Sequence, residues 1–185
     1  MLLARALVPV LLLGPLAGCT LFEDDPEACV VDATTELGVV FADENGNVSE
    51  LTEMGQFPLI AAPQGGFISL LAPRMKTKIG KCQVQVSAAV RDMTSNLVIG
   101  LEQRPVTLYR HSDGWATPPD PADLSDLPNV ALCPSSATTM IDGNPFKIEV
   151  KIIGLTTADS PSTTTIGIPS CNGSQYCVGE CANSF

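Results

Sequence analysis

The segment Lys81–Val90 constrains the fold of this chain more than any other. Cys82, Val84, Val86, Ala88 and Val90 alternate with Gln83, Gln85 and Ser87. A period of two marks a strand with one buried face, because successive side chains leave a pleated backbone on opposite sides. Phe146–Ile153 repeats the pattern, with Phe146, Ile148, Val150 and Ile152 opposite Lys147, Glu149 and Lys151. Shorter runs at Leu37–Ala42, Val48–Leu51, Phe57–Ala62, Phe67–Leu71 and Thr163–Ile168 read as further strands, and Leu97–Glu102 with Val106–Arg110 reads as another pair. Asp43-Glu44-Asn45-Gly46-Asn47 predicts a hairpin turn, since Asn-Gly readily takes a positive φ, and Pro63-Gln64-Gly65-Gly66 predicts a second. The Pro-rich stretch Ser112–Asn129 and the Ser/Thr-rich stretch Thr156–Thr165 read as surface loops. No part of the body shows a 3.6-residue apolar period over twelve residues. The expected class is therefore all-β: an antiparallel β-sandwich stapled by disulfides, with a small closed β-barrel as the alternative.

The first eighteen residues follow a different logic. Arg5 and the amino terminus are positive, and Ala6–Leu13 is entirely apolar or Pro, long enough for a secretory core but too short to span a bilayer. Gly14-Pro15 breaks any helix, and Leu16-Ala17-Gly18-Cys19 follows. That tetrad resembles the lipobox of bacterial lipoproteins at all four positions. The resemblance implies cleavage before Cys19, a thioether-linked diacylglycerol and an N-acyl chain (palmitate is typical) on Cys19, and anchoring to a membrane. At about 0.8 kcal/mol per buried CH₂, two or more acyl chains hold a protein stably. Thr20, where an inner-membrane retention signal would have Asp, implies the outer membrane of the cell envelope, facing either the periplasm or the surface. No second apolar stretch approaches 18 residues.

Loss of Arg5 with the leader leaves 9 of the 10 basic residues against 20 acidic ones. Ten of the acids lie between Glu23 and Glu53, and no Lys or Arg follows the leader before Arg74. Such a chain repels phosphate backbones and anionic surfaces, which excludes nucleic acid as an expected partner. Cys19 apart, six cysteines remain: Cys29, Cys82, Cys133, Cys171, Cys177 and Cys181. In an exported chain this even number reads as three disulfides, with fifteen pairings open. A metal site in the Cys171, Cys177, Cys181 cluster is the weaker reading, for it lacks close pairs and a nearby His. If Cys82 faces inward, one bridge crosses the core, and the clustered tail is pinned to the body. The expected division is a signal peptide at 1–18, a lipidated Cys and acidic tether at 19–35, a β-sandwich at 36–171 and a Cys-rich tail at 172–185.

Four short features carry a second likeness: the Pro63-Gln64-Gly65-Gly66 turn, the strand ending Val90-Arg91-Asp92, the Ile141-Asp142-Gly143-Asn144-Pro145 turn and the Cys-rich tail. Across roughly residues 37–171 the body resembles uncharacterised envelope lipoproteins of gliding, predatory bacteria. The resemblance implies an immunoglobulin-like sandwich and an envelope location, and no activity.

Catalytic signals are sparse. The one histidine, His111, stands beside Ser112 and Asp113, but neighbours on an extended loop diverge rather than converge as a triad must. No nucleophile elbow or zinc-protease motif is present, so no catalytic residue, metal ligand or non-covalent cofactor is expected. Asp43-x-Asn45-Gly46-Asn47 resembles a calcium loop, yet the EF-hand spacing fails at its Gly and at Met54. Two sequons, at Asn47 and Asn172, match the glycosylation pattern but find no machinery in most bacteria. Tyr109 and Trp115 border the Pro-rich loop and are the candidate ligand residues. The leading expectation is a membrane-anchored, non-enzymatic structural, adhesive or recognition domain. A small-ligand or glycan-binding module comes second and an unrecognised hydrolase last; the protein or glycan partner is not legible.

Overall fold

The computed structural model describes residues 27–134, 140–153 and 160–182; the leader, Cys19 and the first part of the acidic tether, through residue 26, lie outside them. The alternating segment becomes β7 (Lys81–Asp92), and its apolar positions are all buried. On one side β7 pairs antiparallel with β8 (Val98–Arg110), and on the other with β11 (Phe146–Ile153), which pairs in turn with β12 (Ser162–Ser170). Asp92 turns the β7–β8 hairpin, its Oδ1 accepting hydrogen bonds from the amides of Thr94 (3.0 Å) and Ser95 (2.7 Å).

The two strands expected at Leu97–Glu102 and Val106–Arg110 are one. Gln103, Arg104 and Pro105 read as a break, yet each pairs with β7. Among the described residues, β8 pairs beyond β7 only through Tyr109 and Arg110, with β9 (Trp115–Thr117). A proline's missing N–H is tolerated in a strand with one open side.

The rest of the sheet is built on β6 (Phe67–Lys76). It pairs with β2 (Leu37–Ala42), β5 (Ile60–Ala61), β9 and β10 (Asn129–Cys133). β2 and β3 (Val48–Glu50) form the expected Asn-Gly hairpin, with Gly46 at φ 83°. The hydrogen-bonded order is β3-β2-β6-β9-β8-β7-β11-β12-β4, where β4 is Gly55–Pro58. Its two terminal strands, β3 and β4, are consecutive in the chain. Side chains from β6 (Phe67, Leu71, Met75), β7, β8 and β11 meet in one core.

Two pairings run parallel, making the sheet mixed where an antiparallel one was expected. β4 lies parallel to β12, and β1 (Glu27–Ala28) parallel to β7. Alternation says which face a residue takes, not the direction of its neighbour.

Three further expectations need correction. The stretch Ser112–Asn129 is not merely a surface loop: it forms β9 and then buries Ala122 and Leu127 against Val40, Ala42, Ile68, Leu70 and Ala72. β6 is therefore covered on both faces, which explains its long apolar run. The body starts before residue 36, because β1 pairs with β7 and Cys29 and Val31 are buried. The tail carries one short helix, α1 (Gln175–Ala182), which is too brief to leave a periodic trace.

The six body cysteines are paired as Cys29–Cys82, Cys133–Cys181 and Cys171–Cys177. Cys82 faces inward as expected, but its bridge joins the neighbouring segment after β1 rather than crossing the core. Cys133–Cys181 pins the tail helix to the end of β10.

Candidate functional site

Trp115 opens β9, directly opposite Lys76 on β6. Ala116 points inward and is fully buried, so alternation turns Trp115 and Thr117 outward. The ring does not stand free. The Arg74 guanidinium lies 4.2 Å and the Lys76 ammonium 4.8 Å from its centroid, within cation–π range. Arg74 is also ion-paired with Glu50. Gly38 makes room for the guanidinium, since a Cβ there would sit 2.6 Å from Arg74 Nε. Tyr109 occupies the matching outward position on β8, opposite Thr117, with Lys81 Nζ 5.8 Å from its ring. The two candidate ligand residues thus share one outward face, each with a cation over its ring.

Beside Trp115 is a recess of about 180 Å³ whose lining includes Glu50, Arg74, His111, Asp113, Thr117 and Asp120. Pockets for drug-sized ligands begin near 300 Å³, so this one suits a single polar group. His111 Nε2 lies 2.8 Å from Thr117 Oγ1, and the Thr117 hydroxyl donates to the Pro118 carbonyl at 3.0 Å. With its one proton on the Pro118 carbonyl, the Thr117 hydroxyl accepts from His111 Nε2 in the tautomer that carries a proton there, an arrangement that does not prime Thr117 as a nucleophile. Ser112 and Asp113 make no hydrogen bond to the imidazole; Asp113 Oδ1 instead accepts the Trp115 amide at 3.0 Å.

A second recess of about 360 Å³ is lined by Gln64, Ile68, Glu102, Arg104, Leu124 and Asn129, among others. Glu102 is committed on both sides, to Arg104 and to the Asn129 amide. Arg104 Nη1 holds the Leu124 carbonyl at 2.7 Å. These groups tie the 118–128 segment to β8 and β10.

The calcium-like segment uses its leading carboxylate internally. Asp43 accepts from the Asn47 side chain at 2.7 Å and from the amides of Asn45 (2.8 Å) and Asn47 (2.9 Å). The Asn47 side chain first, and these amides after it, hold the Asp43 carboxyl below the ordinary aspartate range. The geometry is that of an Asx turn closing a hairpin.

Sequence reasoning missed Arg74 and Lys76, which reach Trp115 through the pairing of β6 with β9, and Glu50, which β3 brings to Arg74 through the pairing of β3 with β2 and β2 with β6. One signal was available: Arg74 interrupts the apolar run Leu70-Leu71-Ala72-Pro73 and Met75, and a charge at such a place needs a partner. No protein-family model, curated protein or solved structure matches this chain.

Proposed function

We propose that the chain is a lipid-anchored protein of the outer membrane whose β body serves as a non-catalytic structural, adhesive or recognition module. The observation that carries this reading is the state of the cysteines. All six body cysteines are bridged, which suits an oxidising compartment outside the cytoplasm. Cys29–Cys82 also fixes the start of the body close behind the lipobox. Only seven residues lie between Cys19 and Glu27, and that stretch spans at most about 28 Å when extended. A rigid domain on so short a leash stays near the membrane that holds its lipid.

The test is fractionation followed by protease shaving of intact cells. The native protein is expected in the outer-membrane fraction, and the Cys19→Ala variant is expected to leave it. Native protein in the soluble fraction would reject the reading. Shaving then decides which side of the membrane the body faces. The recess beside Trp115 supports a second reading, a module that takes one polar group of a glycan or peptide. Loss of a glycan- or peptide-array signal in Trp115→Ala would establish it, and an array blank for the native protein would remove it.

A further inference from the structure

The two tail disulfides touch. Cys177 Sγ lies 3.9 Å from Cys181 Sγ, and the sulfurs of Cys171, Cys177 and Cys181 are all within 4.8 Å of one another. Cys177 belongs to the Cys171 bridge, whereas Cys181 belongs to the bridge that pins α1 to β10. A sulfur of one disulfide therefore stands next to a sulfur of the other, with both residues on one helix at i and i+4, on the same side. Their partners reach them from different parts of the chain.

We propose that Cys133, Cys171, Cys177 and Cys181 form a thiol–disulfide exchange relay that lets a small external thiol unlock the tail helix. The external thiolate attacks Cys171 Sγ, forms a mixed disulfide there and breaks the Cys171–Cys177 bond, and the electron pair leaves on Cys177. The Cys177 thiolate then attacks Cys181 Sγ, forms a Cys177–Cys181 bond and expels Cys133 as a thiolate, which takes up a proton from water. One thiolate enters and one leaves, so the sequence needs no oxidant.

Three observations set the direction. Cys171 is the more exposed of the first pair (4% against 1%), and it adjoins the exposed turn Asn172–Ser174. Cys177 lies in the first turn of α1, where Ser174 caps the helix: its Oγ accepts the Cys177 amide at 3.3 Å and its carbonyl the Val178 amide at 3.0 Å. A helix N-terminus stabilises a thiolate, which makes Cys177 the better leaving group. Cys181 then offers its sulfur one turn further on. The product frees α1 from β10, and with it Tyr176, whose ring centroid is 5.8 Å from that of Phe67. The bridge Cys29–Cys82 takes no part and serves as an internal reference.

The experiment treats the native protein with glutathione at pH 8, traps samples by alkylation and maps the bonds. Cleavage by chymotrypsin after Tyr176 and by a glutamyl endopeptidase after Glu180 separates the three tail cysteines. The earliest product is expected to carry glutathione on Cys171, a Cys177–Cys181 bond and alkylated Cys133. In Cys171→Ala/Cys177→Ala, release of Cys133 is expected to be at least about tenfold slower. Cys171→Ser gives a check without any reagent: its free Cys177 should redistribute, leaving a measurable share of molecules with Cys177–Cys181 bonded and Cys133 free. An early product with Cys133–Cys181 intact, equal or faster release in the double variant, or Cys171→Ser showing only Cys133–Cys181, would each overturn the relay.

Discussion

Removing the bridge at the head of the body should cost far more than removing the one in the tail. Cys29 and Cys82 are 53 residues apart in sequence, and Cys171 and Cys177 are 6 apart. In the chain-entropy relation, closing a loop of the first size restricts the unfolded chain by about 4 kcal/mol, and the second by about 2 kcal/mol. Domain stabilities run from about 5 to 15 kcal/mol, so the first loss consumes a large share of the total. The structure adds a local consequence. Among the described residues, β1 contributes the pairs Glu27↔Cys82 and Ala28↔Gln83, the Cys29 amide adds a hydrogen bond to the Gln83 carbonyl at 3.0 Å, and Val31 is a further buried apolar residue close by. Without the bridge, the segment before β2 should detach. The assay is urea unfolding of Cys29→Ala/Cys82→Ala and Cys171→Ala/Cys177→Ala without reductant, with limited proteolysis of the same samples. A midpoint falling further for the first variant, together with new cleavage before Leu37, is expected. A loss below about 1 kcal/mol for the first variant, or a larger loss for the second, would refute the reasoning.

Three smaller perturbations probe the turn, the aromatic site and the carboxylates. Gly46→Ala places a Cβ against the Ala122 carbonyl at a position held at φ 83°; a loss of about 2 kcal/mol or more is expected in chemical unfolding, and a neutral result would contradict the docking of the 118–128 segment. Gly38→Ala should push the Arg74 guanidinium off Trp115, and because Trp115 is the only tryptophan, a red shift of its emission reports this directly; an unchanged spectrum would deny the contact. The Asp43 carboxyl is held below its ordinary value by Asn47 and the turn amides, so its contribution is present above the unfolded aspartate pKa and lost as pH falls through the folded one. Carboxyl NMR should place its midpoint below 3.8, the ordinary value, and Asn47→Ala should raise it; a midpoint unmoved by that substitution would assign the shift elsewhere.

The strands that alternate cleanly were legible because a pleated backbone leaves no other way to bury Val84, Val86, Ile148 and Val150 together. The Asn-Gly hairpin was legible for a similarly local reason, the positive φ at Gly46. What the sequence hid is non-local. Nothing near Glu27 announces a parallel partner 55 residues on, and nothing in Trp115–Thr117 shows that three residues bridge β6 to β8. The cysteine count fixed three bridges but not their partners, because bridging depends on which ends of which strands meet. At the aromatic site, Tyr109 and Trp115 stood out by residue type, whereas the cations over them arrive from strands paired across the sheet. The helix escaped notice because it rests on two bridged cysteines rather than on an apolar stripe.

The measurement that bears most directly on the central proposal is metabolic labelling with a clickable fatty-acid analogue, comparing the native chain with Cys19→Ala. Label on the native protein, migrating as the chain without residues 1–18 and absent from the variant, is the expected result. Label that persists in Cys19→Ala, or a native protein that takes up none, would contradict the anchor and the envelope role built on it.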